Sequence, residues 1–107
     1  MALTPEKKVK NKIVNILKQY KAYYFFPSNY GMGRSGIPDI VCCYRGYFIG
    51  IECKAGSNQP TALQERELAA IKEADGIACV INENNIPLLI NILDNVIGTD
   101  SNEPPDS

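Results

Sequence analysis

Residues 36–56 read "GIPDIVCCYRGYFIGIECKAG", two apolar runs, "DIVCCY" and "YFIGIECK", that meet at Arg45-Gly46. Runs of β-branched and aromatic residues broken by a glycine turn read as the strands of a β-hairpin. If Arg45 and Gly46 form a two-residue turn, Tyr44 faces Tyr47 and, further along the same ladder, Asp39 sits opposite Glu52. Directly opposed residues share a face of the sheet with Cβ atoms about 5 Å apart. Strand alternation adds Lys54 to that face. A four-residue loop keeps this register, whereas a three-residue loop with a bulge shifts it by one and scatters the three groups. Arginine is not a favoured first residue of a type I′ turn, so the reading rests on the length of this loop.

Two opposed carboxylates repel each other, so a positive charge belongs between them. Lys54 alone could neutralise the pair as a structural ion-pair cluster. The other occupant is a hard divalent cation, which takes carboxylate and carbonyl oxygens and keeps several waters; the backbone carbonyl of Cys53 would lie near it. The chain has no histidine. That excludes Ser-His-Asp and Cys-His nucleophiles and histidine general bases, and leaves carboxylates, lysine, tyrosine or a hard metal to run any chemistry. Cys42, Cys43, Cys53 and Cys79 show no C-x-x-C spacing. Buried free thiols are therefore expected and zinc is not.

Outward from the hairpin, "TPEKKVKNKIVNILKQYK" opens with Thr4 as N-cap, Pro5 at the first helical position and Glu6 in the first turn. Val9, Ile13, Ile16, Leu17 and Tyr20 follow as one apolar stripe. Glu6, three residues before Val9, is expected to point along that stripe, although an acid in the first turn is also favoured simply by the helix dipole. "AYYFF", residues 22–26, reads as an aromatic strand whose Tyr23, Tyr24, Phe25 and Phe26 are expected in the sheet core rather than as a base-stacking platform. "PSNYGMGRSGIP" is a glycine-rich loop. Past the hairpin, "TALQERELAAIKEADG" is a helix with a capping box from Thr61 to Gln64 and a stop at Gly76, "IACVI" is a buried strand, and "NNIPLLINILDNVIG" is a last helix from Asn85 to Gly98. The order is α-β-β-β-α-β-α: one α/β domain over residues 1–98 with a mixed central sheet flanked by helices. Residues 99–107 read as an acidic, disordered tail.

Net charge is −1, and without the tail the body is mildly basic. Lysines gather on the first helix, Lys10 among them; such a face suits a phosphate backbone nearby, though a lysine-rich helix face is more often only solvated. No apolar stretch approaches the roughly 20 residues that span a bilayer, and the N-terminus lacks a signal-peptide core, so a cytoplasmic protein is expected.

"GIPD" followed by "IECK" resembles the PD-(D/E)XK nuclease superfamily. Joined to a helix carrying Glu6, a glycine-rich loop and "TALQ" in the next helix, the set is similar to the virus-type replication-repair nuclease (VRR-NUC) family over roughly residues 4–82. The resemblance implies a restriction-endonuclease-like fold. It implies a metal site of Asp39, Glu52 and the Cys53 carbonyl, completed by Glu6 directly or through water. Lys54 would orient or help deprotonate the attacking water. Gln64 would stand beside the site, supporting the lysine or a phosphate, although the capping box alone accounts for it. Arg34, Ser35 and Tyr30 of the glycine loop, with Lys10, are the candidate DNA contacts, an arginine near a scissile phosphate being chemically sensible.

The implied activity is Mg²⁺- or Mn²⁺-dependent hydrolysis of DNA phosphodiesters. Stand-alone members of the family resemble Holliday junction resolvases, which implies a branched substrate, a homodimer and a phage or mobile-element product acting in a host cytoplasm. Two other readings stand beside it: a nucleic-acid-binding module on a nuclease fold that has lost catalysis, and a structural cluster in which Asp39, Glu52 and Lys54 only neutralise one another.

Overall fold

A computed structural model describes residues 3–28 and 33–96. Along the chain run α1 (Pro5–Gln19), β1 (Tyr23–Phe25), β2 (Ile40–Tyr44), β3 (Tyr47–Cys53), α2 (Ala62–Glu73), β4 (Ile77–Ile81) and α3 (Ile86–Asn95). This is the expected order of elements. The strands form one mixed sheet in the order β1-β2-β3-β4, antiparallel from β1 to β3 and parallel between β3 and β4. The expected tail and the expected stop at Gly98 lie outside the described residues. No helix among the described residues is long and apolar enough to cross a membrane.

The turn at Arg45-Gly46 has two residues, and both carry positive φ, 53° and 88°. These are the signs a type I′ turn needs, and they match the twist of the flanking strands. Tyr44 accordingly pairs with Tyr47 and Ile40 with Ile51. Alternation then divides the sheet. Ile40, Cys42, Ile49, Ile51, Cys53, Cys79 and Ile81 face one side and are buried with Val9, Ile13 and Leu17 of α1 and Leu89 and Leu93 of α3. The other side of β3 and β4 is covered by α2, whose Ile71 stands directly over Gly50. Fully burying one Ile or Leu contributes about 1.5–3 kcal/mol, so the α1–α3 side holds most of the cohesion.

Each helix end has a local cause. At α1, Thr4 Oγ1 accepts from the Lys7 amide at 3.2 Å. At α2 the capping box is complete: Thr61 Oγ1 accepts from the Gln64 amide and Gln64 Oε1 accepts from the Thr61 amide. Gly76 is not the left-handed residue after α2; Asp75 is, with φ 67°. Gly76 is needed for room instead, because a Cβ there would lie 2.8 Å from the Ile71 side chain. At α3, Asn85 caps no helical amide; it ties the preceding loop, its Oδ1 accepting from Asn82 N and its Nδ2 donating to Val80 O.

The aromatic strand departs from expectation. Only Tyr24 packs on the core, while Tyr23, Phe25 and Phe26 are 71%, 46% and 49% exposed. The cause is position: β1 is a three-residue edge strand, and α2 lies over β3 and β4 rather than over it.

Gly36 shows how the loop before Asp39 is held. Its φ is +83°, and a Cβ on it would lie 2.6 Å from the backbone carbonyl of Leu63. Only glycine lets the loop lie against the first turn of α2. Gly36→Ala is expected to cost about 2–4 kcal/mol, from left-handed strain plus a clash with backbone that cannot yield. Urea unfolding of the two proteins measures it.

Candidate metal and phosphodiester site

The ladder that pairs Ile40 with Ile51 brings Asp39 opposite Glu52 one step further on. Asp39 lies just outside β2, where its carboxylate takes the place of a strand: Oδ2 accepts from the Cys53 amide at 2.9 Å. Glu52 is 2% exposed, a carboxylate inside the sheet end. Its Oε2 lies 3.4 Å from Lys54 Nζ, and its Oε1 is buried with no hydrogen-bond partner among the described residues.

A buried carboxylate oxygen without a partner is costly. Burial, followed by the nearby charge of Asp39, pushes the Glu52 carboxyl up to about 7, against the opposing pull of Lys54. Lys54 thus lowers this carboxyl without returning it to its ordinary value. The Cys53 thiol is buried and pushed up to about 12, first by burial and then by Asp39 and Glu52. It stays protonated at neutral pH, a poor metal ligand, which leaves the backbone carbonyl as the hard oxygen donor of Cys53.

Beside these groups opens a cleft of about 140 Å³ lined by Glu6, Lys7, Lys10, Asp39 and Cys53. Glu6 lies one turn before Val9 at helical spacing, in line with the apolar stripe, but it is exposed, because the buried part of the stripe begins at Val9. Among the described residues no three acidic or thiol side chains are gathered into one ligand group. The donors in place are two carboxylates and a carbonyl beside a cleft with room for water. That set fits a hard divalent cation of the Mg²⁺ kind, which binds through one or two carboxylates and completes its shell with waters and substrate phosphate.

The other expected site residues are spread around this centre. Gln64 spends its side-chain oxygen on the capping box, and the Gly36 loop lies against its backbone. Lys10 lines the cleft and places Nζ 4.4 Å from the centre of the Phe26 ring. Arg34 pairs with Glu67, a buried acid of α2, at 3.4 Å. Ser35 is exposed in the turn before Gly36, and Tyr30 lies outside the described residues. Sequence reasoning took Lys7 only as one of the lysines clustered on the first helix, and passed over Glu67. Both were within reach of helical periodicity, since each stands three residues from a residue already singled out, Lys10 and Gln64.

A scan against protein-family models finds no match to the chain, and neither does a search of curated proteins. Among solved structures, a VRR_NUC domain protein superposes with a TM-score of 0.63 at 19% identity, over 87% of this chain and 90% of that one. The chain shares the fold of that VRR_NUC domain.

The raised carboxyl of Glu52 has a definite pH signature. Its folded-state value lies above the ordinary 4.5, so the folded protein holds the proton more tightly than the unfolded chain. The stability this group contributes is full below pH 4.5 and is lost as pH rises to about 7. In EDTA, Glu52→Gln is expected to gain on wild type across that window, by about 1–3 kcal/mol above it. Melting curves at a series of pH values would show the two proteins diverging; parallel curves would refute it.

Proposed function

We propose that this chain is a metal-dependent deoxyribonuclease that hydrolyses phosphodiester bonds at Asp39, Glu52 and Lys54. One observation carries the reading: the buried, partnerless Oε1 of Glu52 beside Asp39 and Lys54, a site built around a positive charge that the protein itself does not fully supply. The VRR_NUC fold supports it from a separate direction. Salt-bridge neutralisation alone is disfavoured, because it leaves Oε1 without a partner.

Asp39, Glu52 and the Cys53 carbonyl would hold Mg²⁺ or Mn²⁺, with Glu6 reaching it through water from the cleft wall. Such an ion, when bound, lowers the pKa of water and offsets charge on the phosphate. Lys54, held at the end of β3 by its amide bond to the Ile81 carbonyl, orients the attacking water from beside Glu52. Lys7 and Lys10 draw the phosphate backbone to the cleft. Water oxygen bonds to phosphorus as Lys54 helps pass its proton to solvent, the opposite P–O bond breaks, and the leaving oxygen takes up a proton from solvent. Gln64 supports the start of α2 against the loop that presents Asp39.

The substrate we favour is branched DNA, cut by a homodimer. Symmetric cutting of a four-way junction needs two sites related by a two-fold axis, and one chain offers one site. The deciding assay is cleavage of a labelled four-way junction and of matched duplex with Mg²⁺, with Mn²⁺ and with EDTA. Wild type is expected to cut only with metal, and Lys54→Ala to lose about 10²-fold or more, the usual worth of a positioned proton-transfer group. Absence of cutting on every DNA with both metals would overturn the nuclease reading, and a monomer by light scattering on the junction would overturn the dimer.

A further inference from the structure

The exposed rings of β1 are placed in line with the acids. Tyr23 and Phe25 flank Tyr24, which packs on the α1–α3 core, so they project from the opposite face of the sheet, as does Phe48 beside buried Ile49. Strand register sets these side chains in rows. Tyr23 pairs with Cys43 and Cys43 with Phe48; Phe25 pairs with Val41 and Val41 with Gly50. The next row in β2 and β3 is Asp39 and Glu52. Successive rows are two residues, about 7 Å, apart, so the ring-bearing rows lie about 7 and about 14 Å along the strands from the acids. The Tyr23 and Phe25 rings are themselves 6.3 Å apart.

One cation, Arg34, paired with Glu67, stands beside the strip, and a second, Lys10, stands behind the sheet edge. Arg34, its side chain 76% exposed, shares with Phe48 a hollow of about 280 Å³ beside α2. Lys10 covers Phe26 on the reverse face of the same edge and also lines the acid cleft. Upturned rings with Arg34 beside them, in line with a candidate phosphodiester site whose cleft holds Lys10, match the chemistry of unpaired nucleotides: bases stack on rings while phosphates meet the cations. Bases inside a duplex have no free face to offer.

We propose that Tyr23, Phe25 and Phe48 form a stacking track for an unpaired DNA strand, which it delivers to Asp39 and Glu52. The delivery rests on the nuclease reading above; the binding does not. Among branched DNAs the track thus favours one with a single-stranded arm next to the scissile phosphate over the fully paired four-way junction.

The test compares a blunt hairpin duplex with the same duplex bearing a single-stranded extension of about 8 nucleotides, within the usual site size of single-strand binders. Binding is read by fluorescence anisotropy in EDTA for wild type, the double variant Tyr23→Ala with Phe25→Ala, and Phe48→Ala. All three side chains are exposed, and circular dichroism checks the folds. The double variant is expected to lose about 10-fold or more on the extended DNA, the scale of one or two base–aromatic stacks, with the blunt duplex unchanged. Equal binding of both DNAs by wild type and variants would overturn the track. So would an equal loss on both DNAs with a halved mass by light scattering, which would make the face an interface between copies. Cleavage with Mg²⁺ separates the two readings. Ring-dependent binding without cleavage keeps the track and sinks the nuclease, whereas cleavage that ignores the rings does the reverse.

Discussion

A turn of two residues, both with positive φ, fixes β2 against β3, and the placement of nearly every functional group follows from it. Because side chains alternate with period two, one added residue at Arg45-Gly46 would turn Glu52 and Lys54 toward the apolar α1–α3 side and send Ile51 and Cys53 the other way. Core and site are thus specified together. The same register that buries Ile40, Ile49 and Ile51 brings Asp39 to Glu52, so the core cannot be repaired after a slip without losing the acids, nor the acids without the core.

The rest of the fold answers to what the hairpin leaves exposed. The parallel step from β3 to β4 requires a crossover, and α2 fills it, covering Gly50 with Ile71. The start of α2 comes next to the Gly36 loop that leads into Asp39. A helix start, a glycine with no room for a Cβ and the first residues of a strand therefore meet at one place. The energetic burden there is the Glu52 carboxylate, kept out of water beside another acid. The apolar contacts of α1 and α3 on the far side of the sheet offset that cost.

Most of this was legible in the sequence because local signals and long-range needs agreed. Thr4-Pro5, the Thr61–Gln64 box and Arg45-Gly46 each announce their structures within a few residues. What was not legible depended on which element covers which. "AYYFF" has the composition of a buried strand, and nothing local says that it becomes the sheet edge beyond the reach of α2. Glu6 lies at helical spacing from Val9, yet where α1 first touches the sheet is a tertiary matter. The reach of Arg34 to Glu67 joins two segments whose pairing no spacing rule gives.

The bond from the Cys53 amide to Asp39 has one more consequence. The last amide of β3 has no strand partner on that side, and a carboxylate of the candidate site supplies its acceptor. Whatever draws the Asp39 oxygens toward itself also changes how firmly that amide is held. The Cys53 N–H is therefore a resident spectroscopic probe: its chemical shift and its exchange with solvent deuterium register occupancy of the acid pair directly, with no label and no turnover required.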